Sequence, residues 1–138
     1  MKNKKQVFII GLFGASAVAL GAFGAHSLKG FQTTGLVSAD QVNGFDTGVK
    51  YQMYHTLALL AVFILNQNYS GKYLNWARRF FIYGILLFSG SLYLITTRNL
   101  LGAEFLKVLG PVTPIGGLLF ILGWCMLLFT AFDNKSNN

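Results

Sequence analysis

The sequence predicts an all-α integral membrane protein: a bundle of four transmembrane helices, with a short amphipathic helix before the second span. Three observations carry this. Four mostly apolar stretches of about 20 residues follow one another, the length that crosses a hydrocarbon core of about 30 Å as helix. Of the 138 residues, 54% are apolar and only 11% charged, against roughly 25% charged in soluble domains. Many of the 16 glycines fall inside the apolar runs. Each would cost a soluble helix about 1 kcal/mol relative to alanine, whereas in a membrane small residues let backbones approach.

The first span covers about residues 7–27, and Val7 to Ala25 within it carries no charge. Its nine large apolar residues should each contribute about −0.3 to −0.6 kcal/mol to insertion. The run follows lysines and offers Ala22-Phe23-Gly24 as a small-residue cleavage site, the pattern of a signal peptide, but it is longer than a usual apolar core of that kind. The second span, about 49–66, opens with Lys50, Gln52 and His55, and Lys50 is expected to snorkel to the interface. The third, about 78–97, is apolar from Phe80 and anchored by Trp76, Arg78 and Arg79. The fourth, about 113–132, starts with Thr113 as N-cap and Pro114 at the first helical position, where proline's missing N–H costs nothing. Core helices of a soluble domain are the competing reading. Four long runs without a regular polar face in so short a chain disfavour it.

Four spans put both termini on the side of the middle loop. That side collects Lys2, Lys4, Lys5, Lys72, Arg78, Arg79 and Lys135; the other has Lys29, Lys50, Arg98 and Lys107. The excess predicts a cell-membrane protein with both termini cytoplasmic. The net charge of +7 thus belongs to topology and to anionic headgroups, not to a nucleic-acid partner.

In the first loop, Ser38-Ala39-Asp40-Gln41 reads as a capping box. It starts the amphipathic helix, with Val42 and Phe45 inward, Asp40 and Asp46 outward, and a bend allowed at Gly44 and Gly48. Between Arg98 and Gly110, Leu101, Phe105 and Val108 recur near helical spacing and Glu104 pairs with Lys107. Asp133–Asn138 reads as a short disordered tail.

Four blocks resemble a known family: Gly21-Ala22-Phe23-Gly24-Ala25-His26; Gly48 with Tyr51-Gln52-Met53-Tyr54-His55; Phe88-Ser89-Gly90-Ser91-Leu92-Tyr93; and Gly110-Pro111-Val112-Thr113-Pro114-Ile115-Gly116-Gly117 with Gly123-Trp124. In order and over nearly the whole chain, they resemble domain of unknown function 423, also called uncharacterised protein family 0382. The resemblance implies a multi-pass, typically bacterial, membrane protein and brings no established activity. The chain departs from the pattern between His26 and Gly48 and in its tail.

No phosphate loop, HExxH, CxxC or GxSxG is present, so no catalytic residue, cofactor or metal site is predicted. Cys125 stands alone in an apolar run, the setting of an inert thiol. No acidic residue falls inside a span, which disfavours a proton-coupled transporter. The candidate site is an outer-side polar cluster of His26, Tyr51, Gln52, Tyr54, His55 and Tyr93. If the first two spans are neighbours, His26 and His55 come to similar depth, placed to share a metal, ligate a haem, or meet a quinone or lipid headgroup. Two histidines are too few for a closed zinc site, and cross-helix hydrogen bonding is the plainer role. Gly11, Ala15 and Ala19 form one small-residue ridge, and Ala17, Gly21 and Ala25 another. One can pack within the bundle and leave the other for a homo-oligomer or membrane-protein partner. Ser89-Gly90-Ser91 offers a notch for Trp124, whose N–H needs an acceptor such as Ser89 or Ser91. These readings point to binding or assembly rather than catalysis: a lipid-binding or membrane-complex accessory protein, with a small transporter or channel, and then a haem- or quinone-associated redox protein, as alternatives.

Overall fold

The computed structural model describes residues 2–69 and 71–132; the tail 133–138, with Lys135, lies outside them. Four helices are long and apolar enough to cross a membrane. Helix α1 runs as one rod over 2–33: α-helix Lys2–Phe23, a wider π turn Gly24–Leu28, then α-helix Lys29–Thr33. Helix α2 is Ala39–Asn68. Helix α3 comprises Lys72–Gly84, a π turn Ile85–Ser89 and Gly90–Thr96. A 3-10 turn, Glu104–Leu109, leads into α4, Val112–Thr130.

Local chemistry sets the ends of the α1–α2 loop. Gly35, at φ +78°, closes α1 with the Gly35 N–H donating to the Gln32 carbonyl and the Leu36 N–H to Phe31, a Schellman motif that only glycine enters without strain. The capping box at Ser38 is formed: Gln41 N–H donates to Ser38 Oγ at 3.2 Å and Ser38 N–H to Gln41 Oε1 at 2.9 Å.

The expected amphipathic helix is not a separate element. Val42 and Phe45 are buried and Asp40 and Asp46 exposed, as predicted, but the segment continues into the second span without a break. Gly44 and Gly48 are contact points rather than hinges: a Cβ on Gly44 would lie 2.9 Å from Thr96 Cγ2, and one on Gly48 3.0 Å from the Tyr93 ring. Both glycines lie where α2 approaches α3 closely. Pro111, not Thr113, occupies the N-cap of α4, and the Thr113 hydroxyl pairs with Ser91 Oγ at 2.6 Å instead of capping.

The helices run up and down. Gly14 faces Thr56, Gly21 faces Val49 and Gly24 faces Phe45 across α1–α2; Gly84 faces Phe120, Gly116 faces Phe88 and Gly123 faces Phe81 across α3–α4. Both seams are therefore antiparallel. Helix α1 packs on α2, α2 on α3 and α3 on α4, while α1 and α4 share no seam among the described residues. Phe81, Ile85, Leu59, Val62, Leu74 and Phe120 form the main core, and Leu28, Val37, Val42 and Phe45 a second one at the loop end. Of α1's most apolar window only 6% is buried, against 39% for α2, so α1 sits at the periphery.

The second small ridge is the one that packs, with a shift. Ala17 is 1% exposed and Gly21 meets Val49, but Gly24, not Ala25, continues the contact, because the 3.6-residue period brings position 24 closer than 25 to the face of Ala17. Gly11, Ala15 and Ala19 face outward.

Candidate functional site

Behind the helix seams lies a polar network that joins all four spans. Gln52, 4% exposed, donates through Nε2 to the Phe13 carbonyl and to Ser16 Oγ, both at 2.8 Å. Its Oε1 accepts from Tyr93 Oη at 2.8 Å. Ser89, fully buried, donates to the Gly48 carbonyl at 2.7 Å, and Ser91 meets Thr113. Among the described residues no buried side-chain nitrogen or oxygen lacks a partner. In hydrocarbon an unpaired polar group costs several kcal/mol, so full satisfaction is what lets these residues sit here.

His55 links α2 to α4. Its Nδ1 lies 2.8 Å from the Tyr51 carbonyl, which can only accept, so Nδ1 carries the hydrogen. Its Nε2 is then free to accept from Trp124 Nε1–H at 3.3 Å, which fixes the neutral Nδ1–H tautomer. The ring stacks on Phe120 with centroids 3.4 Å apart and planes 8° from parallel.

On the outward side of this pair, α2 and α4 diverge. They leave a groove of about 760 Å³ lined by Tyr51, Tyr54, His55, Phe88, Pro114, Gly117, Phe120 and Trp124, among others, within the roughly 300–1,000 Å³ of small-molecule sites. Tyr51 stacks on Phe88 at 4.7 Å, and Trp124 stands edge-on to Phe81 at 5.3 Å. Tyr54 and Trp124 are 56% and 52% exposed on the open face. From Pro114 to Trp124 the groove follows ten residues of α4, about 15 Å of helix rise, or half a hydrocarbon core. His55 lies 13 residues from the end of α2 at Asn68 and 16 from its start at Ala39, roughly 20 and 24 Å, near the middle of the helix.

The expected polar cluster is therefore divided into three. Gln52 and Tyr93 belong to the sealed network; Tyr51, Tyr54 and His55 line the groove; His26 is exposed on the π turn of α1. The similar depth expected for the two histidines does not hold. In the α1–α2 register Gly24 is level with Phe45 and Gly14 with Thr56, so His26 lies about eleven residues, roughly 17 Å, above His55. No grouping of three or more metal-ligating side chains occurs among the described residues. The notch expected for Trp124 is also corrected. Ser89 and Ser91 are engaged by Gly48 and Thr113, Gly90 faces open space, and the α3–α4 register sets Trp124 against Phe81 instead. The sequence reading missed Phe120 and Phe88 as groove walls. Only their level with Tyr51 and His55 across three helices reveals them.

Four span-length helices, apolar side chains outward and satisfied polar groups inward, define a multi-pass α-helical membrane protein. The chain belongs to the family described as protein of unknown function DUF423, whose model matches residues 20–117. It is 41% identical over 136 residues to a UPF0382 membrane protein of Haemophilus influenzae, covering 99% of each chain. It is 41% identical over 129 residues to a UPF0382 membrane protein of Staphylococcus aureus, covering 93% of this chain and 96% of the relative. A Staphylococcus saprophyticus counterpart is 40% identical over 129 residues, covering 92% and 98%. No solved structure matches.

Proposed function

We propose that this protein is a lipid-binding accessory protein of the cell membrane, both termini cytoplasmic, which holds the hydrocarbon chain of an outer-leaflet lipid or small amphiphile between α2 and α4. The observation that carries this is the aromatic groove of about 760 Å³, open to the bilayer side and reaching from the start of α4 to mid-membrane. Rigid rings present large apolar area at low entropic cost, the property that favours an ordered chain over bulk lipid. The polar head of such a ligand belongs at the Pro114 mouth, near the interface. His55 and Trp124, at the floor, satisfy one another and meet the chain end.

The test is to fill the groove without disturbing its walls. A Cβ on Gly117 makes only an ordinary contact with Phe88, at 3.7 Å, so Gly117→Leu projects into the groove. Leu118→Trp, at a position 55% exposed, does the same. Native mass spectrometry of protein extracted from membranes is expected to show a lipid adduct on wild type that both variants lose. Equal adducts on all three proteins, or none on wild type, would overturn the reading.

A further inference from the structure

A second groove, on the opposite half of the bundle, carries a chemistry the first lacks. It is about 380 Å³ and is lined by Trp76, Arg79, Phe80, Tyr83, Leu86 and Leu87 of α3, with Leu119 of α4. From Trp76 to Leu87 it follows eleven residues of α3, about 16 Å of rise, close to the ~15 Å of one leaflet's hydrocarbon. Its deep end is leucine. Its shallow end is a cation on an aromatic platform: the Arg79 guanidinium carbon lies 5.1 Å from the Trp76 ring centroid, and Trp76 stacks on Phe80 at 5.5 Å. Helix side chains lean toward the N-terminus, so Arg79, reaching back over Trp76, aims at the membrane surface on the side of the chain's N-terminus.

Charge decides what the groove suits. Among the described residues Arg79 makes no ion pair. The acids described there, Asp40, Asp46 and Glu104, all sit at the other end of the bundle, where Asp46 pairs with Lys50 and Glu104 with Lys107 and Arg98. Lys4, Lys5, Lys72 and Arg78 share the Arg79 end. A one-leaflet apolar channel ending in a forked cation, with no ion pair among the described residues, matches one acyl chain joined to one phosphate. The geometry points to a site for an anionic phospholipid of the leaflet on the N-terminal side: its phosphate is bound by Arg79 and its chain lies along Tyr83, Leu87 and Leu119. This site is independent of the outer groove.

The protein in phosphatidylcholine nanodiscs doped with dioleoylphosphatidylglycerol tests this by native mass spectrometry after gentle release. Wild type is expected to retain phosphatidylglycerol over phosphatidylcholine by about five-fold, the effect of one basic side chain at the interface. Arg79→Gln should remove the preference and Arg79→Lys restore most of it. Arg78→Gln, on the α1-facing side of the helix with Gln6 and Ile10, should leave it intact. Leu119→Trp should abolish retention while leaving the adduct at the Gly117 groove in place. No preference in wild type, a preference that survives Arg79→Gln, or a dimer that Leu119→Trp separates would each overturn the assignment.

Discussion

The Trp124 indole N–H donates to Nε2 of His55 across the α2–α4 interface at 3.3 Å, 69 residues apart in sequence. The bond gives the indole N–H and the imidazole Nε2 a partner each within the apolar spans. Removing one partner leaves the other exposed to hydrocarbon. In a double-mutant cycle of Trp124→Phe and His55→Phe, followed by thermal unfolding in detergent, we expect a coupling of about 0.6 kcal/mol and at most about 1.7 kcal/mol, the range for buried hydrogen bonds between membrane helices. Additive losses would show that stacking on Phe120 and Phe81, not the hydrogen bond, holds the pair.

Adjacent glycines should behave oppositely. A Cβ on Gly116 would overlap the backbone nitrogen and Cα of Phe88, which cannot yield without parting α3 from α4, whereas one on Gly117 meets only the Phe88 ring edge at 3.7 Å. Gly116→Ala is expected to cost about 1–3 kcal/mol and Gly117→Ala close to nothing. Melting temperatures of the two purified variants compare them directly; equal values would contradict the close approach at this seam.

Gln52 holds three partners on two helices, Phe13 and Ser16 on α1 and Tyr93 on α3. Gln52→Leu strands the Tyr93 hydroxyl and frees α1, a helix with little other burial. A loss of about 1–3 kcal/mol follows, and hydrogen exchange should rise first in α1. Tyr93→Phe on top of Gln52→Leu should recover part of the loss, since the stranded hydroxyl is then gone.

Ser38→Ala removes the side chain that accepts the Gln41 N–H and should cost about 1 kcal/mol. Gln41 also donates to the Thr96 carbonyl at 3.0 Å and to Asn99 Oδ1 at 3.2 Å, so Gln41→Ala should cost more than Ser38→Ala. Exchange at residues 39–42 reads both.

The proposed orientation makes Lys29 external and Lys4 internal. In a Cys125→Ser background, a membrane-impermeant maleimide should label Lys29→Cys in intact cells and Lys4→Cys only after lysis. The reverse pattern would invert the topology.

Much of the fold was legible from local pattern. The spans follow from apolar length, and the capping box at Ser38 from four consecutive residues, because both depend on physics within one helix turn or one bilayer crossing. The candidate site was legible only in its α2 part. Tyr51 and His55 were singled out, but Phe88, Phe120 and the pairing of Trp124 with His55 depend on helices more than 30 residues away in sequence. His26 and His55 group in the sequence because both stand near the outer ends of neighbouring spans, yet the α1–α2 register separates them by about eleven residues.

The sequence by itself determined that hydrocarbon is the solvent for these helices, how many there are, and which charged residues border them, because transfer free energy depends on composition and length alone. The tertiary structure decided which small ridge faces inward, that α2 continues unbroken through Gly44 and Gly48, and that α2 and α4 part to leave an aromatic groove. Those outcomes depend on axial rotation and register. In a bilayer, where lipid is as apolar as the side chains, close packing and hydrogen-bond pairing between distant segments set both.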